Sequence, residues 1–226
     1  GVVDHKCRES ADMVKAGVTS HGTEVWFNRH AMECDHIILT GGVVYHFLAG
    51  YGGGPKYLLP GIASYETIQR HHNLALNKGF GSGTNAAVRS ANMETSNIFH
   101  ADLEEAALLA KPSFLLNVVV DDNYNIIKAV AGDMVQAHRE ACADQRGRGG
   151  AGGAVQAGRV VLGQQALALR LLAQQLGAGA LAQHIAGRLR ARGVQGDAVD
   201  ARHFCLVAGT VTGTGTAAAT GMGSTG

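Results

Sequence analysis

The sequence predicts an α/β fold, a mixed sheet with flanking helices over residues 1–143, followed by a low-complexity tail over 144–226. Three observations carry that prediction. Short runs rich in Val, Ile and Leu, bounded by Gly, Pro, Asn or Asp, recur through the first part and read as strands. Longer stretches opened by Ser or Asp lie between them and read as capped helices. The third observation is a change of alphabet near Asp144. All three prolines, every lysine, every tyrosine and the single tryptophan precede it.

The elements follow in order. Residues 25–28, 36–40 and 43–47 are apolar runs suited to buried strands, with Gly41-Gly42 separating the last two. Residues 50–56 form a loop, because Gly and Pro disfavour regular structure there, and Pro60-Gly61 is a second break. Ser64 is a suitable N-cap for a helix to residue 76, which puts His72 on its second or third turn. Residues 77–85 read as another loop. A helix over 101–110 carries Asp102, Glu104 and Glu105, acids suited to its positive N-terminal end. Residues 114–120 and 126–131, joined by a turn at DDNYN, form a hairpin. Asp133 then caps a helix to residue 143.

Beyond that point the chain differs in kind. The stretch DQRGRGGAGGAVQAGR is glycine-rich and expected to be flexible. Residues 160–192 could be helical, although Gly163, Gly177, Gly179 and Gly187 each cost such a helix ~1 kcal/mol relative to Ala. The ending GTVTGTGTAAATGMGSTG is too poor in large apolar residues to build a core. The break fits a natural disordered tail and equally a reading-frame slip in a GC-rich gene. Resequencing around codon 144 separates the two.

Composition sets outer limits. A chain of 226 residues makes one large domain or two small ones. A net charge of +1 gives no strong field for nucleic acid or an anionic membrane. No apolar run approaches the ~20 residues that span a bilayer, and the opening GVVDHKCRES lacks the apolar stretch of a secretory signal. Cys7, Cys34, Cys142 and Cys205 form no C-x-x-C pair and are expected as small buried side chains of a reduced, cytoplasmic protein.

Potential chemistry concentrates between Tyr45 and Asn73, where His46, Lys56 and His72 bracket the glycine run Gly50-Tyr51-Gly52-Gly53-Gly54-Pro55. The run is not a Walker loop, since Tyr57 rather than Ser or Thr follows the lysine. It also has only part of the dinucleotide-binding spacing. A tight turn between strand and helix explains it equally well. Lys56 sits beside Tyr57, Leu58 and Leu59, and desolvation there would free its amine as a nucleophile. His46 ends an apolar strand next to the loop, where a general acid/base is well placed. His71 and His72 point about 100° apart on a helix, so only one would face a given metal. The other histidines have no distinctive company, and there is no H-E-x-x-H or Cys/His array.

These residues resemble the nickel-pincer lactate racemases and related 2-hydroxyacid racemases and epimerases. The family's pattern is a His, a Lys ten residues on in a glycine loop, then P-G-I-A-x-Y-E-T-I-x-x-N-H. Here it reads His46, Gly53-Gly54-Pro55-Lys56, then PGIASYETIQRHH, with His71 at the family's Asn. The flanks GVTSHGTEVWFNRHAMECDHIILTG and FLLNVVVDDNYNIIKAVAGDMVQAHREA are also similar, so the resemblance spans residues 3–143, part of the family's N-terminal catalytic domain.

The resemblance implies nickel held in a pyridinium-3,5-bisthiocarboxylic acid mononucleotide joined covalently to Lys56, with Gly52, Gly53 and Gly54 approaching the group and His72 as nickel ligand. It makes His46 the acid/base in a hydride-transfer racemisation of a 2-hydroxy acid, and cofactor-synthesis enzymes the partners. It also implies a second histidine in an upstream G-x-H-R-type segment, before this chain begins. A downstream Tyr-Gln and Lys have no counterpart in the tail. The expectation is therefore a fragment with little or no turnover. Two alternatives are a non-catalytic cofactor- or metal-binding remnant and an unrelated glycine-loop nucleotide-phosphate binder or hydrolase.

Overall fold

The computed structural model describes residues 2–46, 48–76, 97–120, 126–147, 204–208 and 218–221. Its centre is strand β4 (His36–Val43), paired in parallel with β7 (Phe114–Val120) and β9 (Phe204–Ala208). β8 (Ile126–Gly132) runs antiparallel to β7, as the hairpin pattern predicts. At the other side, β10 (Ala218–Gly221) joins β9 to the N-terminal strand β1 (Val2–Asp4), both antiparallel. The sheet is thus mixed, in the order β1-β10-β9-β4-β7-β8. Cys205 and Val207 on β9 are buried in the core. The expected helix over 160–192 and the loop over 77–85 lie outside the described residues.

Glycine does not divide β4 as the sequence suggests. The strand runs through Gly41-Gly42, and the aromatic ring of Tyr57 takes the space a side chain at Gly41 would need. A Cβ there would lie 2.2 Å from the Tyr57 hydroxyl, which donates to the Gly42 carbonyl at 3.0 Å. Two short strands, β5 (Tyr45–His46) and β6 (Gly50–Tyr51), follow β4, numbered after a separate hairpin of β2 (Met13–Val18) and β3 (Glu24–Asn28) with its one-turn helix α1 (Arg29–Met32).

Helix α2 (Tyr65–Asn73) begins where Ser64 predicts, with the Ser64 hydroxyl accepting from the Thr67 amide at 3.2 Å. The Thr67 hydroxyl then accepts from the Trp26 amide and donates to the Glu24 carbonyl, tying α2 to β3. Helix α3 (Ile98–Leu109) starts three residues earlier than the sequence suggests, because Asn97 caps it through the amides of Phe99 and His100. The expected role of Asp102 at a helix N-terminus therefore fails: it sits one turn in, fully buried. Helix α4 (Met134–Gly147) is capped by Asp133 as expected, and runs past residue 143. Buried residues of α3 and α4 cover the sheet with the segment between Tyr57 and Ala63, forming one apolar core. Among the described residues, no helix is long and apolar enough to cross a membrane.

Candidate functional site

The loop after β4 leaves the carboxyl ends of parallel strands, the position where open α/β sheets place their ligands. His46 ends β5 and is half-buried. Its Nδ1 accepts hydrogen bonds from the amides of Leu48 (3.2 Å) and Ala49 (3.1 Å). The neutral ring therefore carries its proton on Nε2. Burial, then the charges of Lys56, His72 and His71, hold its pKa down to about 3, so the ring is neutral near pH 7.

Lys56 lies in a 3-10 turn over Gly54–Tyr57, the one regular element within the expected 50–56 loop besides β6. Buried neighbours Pro55, Tyr57, Leu58 and Leu59 strip water from its stem. Desolvation lowers its pKa to about 8, from an ordinary 10.5. Among the described residues no carboxylate forms an ion pair with it. At pH 8 a large share of this amine is unprotonated and nucleophilic.

His72 is on the third turn of α2 and exposed. Its Nδ1 donates to the Ile68 carbonyl at 2.8 Å, which leaves Nε2 with an outward lone pair suited to a metal. Loss of water, opposed by that hydrogen bond, and the nearby Lys56 charge lower its pKa. His46 feels Lys56 and His72, and His72 feels Lys56. The three sequence-predicted side chains thus share one electrostatic neighbourhood.

The glycines have a role of their own. Gly53 (φ +82°) and Gly54 (φ +49°) adopt backbone conformations that L side chains avoid. A Cβ at Gly53 would meet Asn117 Nδ2 at 2.5 Å, and one at Gly54 the His138 ring at 2.6 Å. Their Cα faces are therefore closed by protein. Asn117, fully buried on β7, makes no hydrogen bond through either side-chain atom among the described residues.

Several polar residues near the site escape sequence reasoning. His71 is buried, and its Nδ1 donates to Asp102 at 2.8 Å. Asp102 also accepts from the hydroxyls of Thr19 and Thr23. These hydrogen bonds outweigh burial and keep the Asp102 carboxyl below its usual range. Burial pushes His71 down, against the pull of Asp102. His100 and His138 are buried against the loop as well, at 1% and 0% exposure. The contacts join residues as far as 86 apart in the chain, so no local pattern marks them. Adjacency of His71 to His72 was the one available signal.

No group of three His, Cys, Asp or Glu able to hold a metal occurs among the described residues. The protein side offers one outward imidazole and one unpaired amine. That donor set fits a metal carried by an organic group that brings donors of its own and is anchored through an amine.

Residues 1–83 match the family model described as the lactate racemase N-terminal domain. The lactate racemase of Lactiplantibacillus plantarum is 38% identical over 141 residues, which cover 62% of this chain and 32% of that enzyme. The lactate racemase of Thermoanaerobacterium thermosaccharolyticum is 36% identical over 140 residues, 62% of this chain and 31% of that enzyme. The solved lactate racemase apoprotein from the same organism superposes with a TM-score of 0.56 at 34% identity, covering 62% of this chain and 32% of that one. The chain spans about a third of the length of these relatives. Its mixed α/β architecture matches their N-terminal fold.

Proposed function

We propose, from the match of its first 83 residues to the model of the lactate racemase N-terminal domain, that this chain carries the cofactor-holding core of a 2-hydroxyacid racemase or epimerase. The observation that carries the reading is the desolvated Lys56 amine in one neighbourhood with His46 and His72. Lys56 Nζ would hold a nickel-pincer mononucleotide through a thioamide, and His72 Nε2 would complete the nickel's ligands. When bound, that group supplies an acceptor that takes the substrate's α-hydrogen as hydride and returns it to either face.

The chain's own residues do the rest. The packed segment around Tyr57, Leu58 and Leu59 excludes water from the Lys56 attachment and lowers the amine's hold on its proton, which eases bond formation. The Ile68 carbonyl orients His72 and fixes which nitrogen faces outward. His46 carries its proton on Nε2, so it would donate a hydrogen bond to a ligand oxygen placed there. Removing a hydroxyl proton at that same atom requires Nδ1 to release the Leu48 and Ala49 amides, or the ring to turn. His46 is therefore a hydrogen-bond donor in the arrangement seen, and becomes a base once the loop yields.

The test is co-expression with cofactor-synthesis enzymes, followed by intact mass, nickel content and assay with each lactate enantiomer. A covalent adduct with one nickel per chain and racemisation support the whole reading. Adduct and nickel without turnover leave a cofactor-holding remnant. A folded chain with neither adduct nor nickel contradicts the reading.

A further inference from the structure

We propose that Asn97, His100 and His138 are positioning residues that clamp the backbone between His46 and Lys56 from behind, through three of its carbonyl groups. The inference rests on the reading of that loop as the cofactor site. Asn97 Nδ2 donates to the Leu48 carbonyl at 2.8 Å. His100 Nδ1 donates to Ala49 at 3.1 Å, and His138 Nε2 to Gly52 at 2.9 Å. Leu48 and Ala49 are the same residues whose amides donate to His46 Nδ1. Each thus receives a hydrogen bond at its carbonyl from α3 or its cap and passes one from its amide to His46. The tautomer of His46 is set through this relay.

His138 also acts nearer the lysine. Its ring fills the space under Gly54, two residues before Lys56. The two imidazoles stack, with centroids 5.8 Å apart and planes 15° from parallel. Packing alone does not explain them. His100 Nε2 and His138 Nδ1 are buried with no hydrogen-bond partner among the described residues. An apolar ring of similar size would fill the same space without that desolvation penalty. What an apolar ring lacks is the donor to the loop carbonyl. Around the pair stand Glu104, whose Oε2 lies 3.8 Å from His100 Nε2, Arg139 bound to Glu104 at 2.9 Å, and Cys142, 3.5 Å from His138 Nε2.

The two donors sit at different ring atoms, which gives a crossed test. Glutamine places its amide nitrogen near an imidazole Nε2, and asparagine near Nδ1. His138→Gln and His100→Asn preserve the donors; His138→Asn and His100→Gln misplace them. Two readouts on the unloaded chain follow the loop: the ring-nitrogen NMR signals of His46, and the pH midpoint of Lys56 trinitrophenylation by trinitrobenzenesulfonate, followed by peptide mass. The preserving pair is expected to keep His46 as the Nε2–H tautomer and the midpoint near 8, the misplacing pair to mix the tautomers and move the midpoint toward 10.5. Equal behaviour of the two pairs overturns the clamp, whether all resemble the parent or all lose it. If the misplacing variants do not fold, the parent chain decides alone. His138 must then show a slowly exchanging Nε2–H and His100 a slowly exchanging Nδ1–H, and the opposite tautomers overturn the proposal. Neither readout uses the cofactor, so failed loading would leave this result standing.

Discussion

Under the proposed reading, a single exposed imidazole holds the metal while adding little to the fold. His72 lies at the surface of α2, and its side-chain hydrogen bond among the described residues is to its own helix. His72→Ala should therefore remove most of the bound nickel from the loaded chain, with the Lys56 adduct retained and the unfolding midpoint shifted by no more than about 1 °C, within the ±0.5 kcal/mol usual for surface changes. Metal analysis and thermal unfolding on one sample check both halves. The neighbouring residue should behave in the opposite way. Asp102 accepts hydrogen bonds from His71, Thr19 and Thr23 in a site with 0% exposure. Asp102→Ala leaves three buried donors unanswered and is expected to cost about 3–5 kcal/mol in urea unfolding. A loss under about 1 kcal/mol would show that this network does not join α2, α3 and the β2–β3 turn.

At the level of elements, the glycine loop owes its shape to what lies beneath it. Gly54→Ala meets both a positive φ and the His138 ring, and should destabilise by about 2–4 kcal/mol. Gly22→Ala is the control: its φ is +85°, yet nothing lies within 4 Å, so strain alone, about 1 kcal/mol, remains. Equal costs at the two sites would remove the argument that His138 shapes the loop. The elements themselves were largely legible in the sequence. Ser64 and Asp133 cap the helices they predict, and the 114–120 and 126–131 runs pair as a hairpin, because caps and alternating runs are local signals. Gly41-Gly42 misled, since a glycine can mark close approach by a distant Tyr57 as readily as a turn. Asp102 misled for the same reason: its burial depends on Thr19 and His71, which sequence spacing does not place beside it. His46, Lys56 and His72 were legible because a motif carries them, whereas His100 and His138 are brought to the loop by tertiary packing alone.

Across the whole molecule, several histidines are held neutral by burial. Desolvation lowers the pKa of His5 and His71, takes His46 to about 3 and His138 to about 4. Each binds fewer protons folded than unfolded between its folded value and 6.5, so their stabilisation is complete above pH 6.5 and is lost as pH falls through that window. Urea unfolding should weaken steadily from pH 7 to pH 4, with His138 alone contributing at most about 1.4 kcal/mol per pH unit. A flat profile over that range would mean these rings are open to water. The central claim is spatial: the amine and the two imidazoles surround one place. Acylating Lys56 alone, confirmed by peptide mass, and recording the ring signals of every histidine before and after tests it most directly. The signals of His46 and His72 are expected to move while that of His36, at the opposite end of β4, stays still. Unmoved His46 and His72 signals beside a fully acylated Lys56 would contradict it.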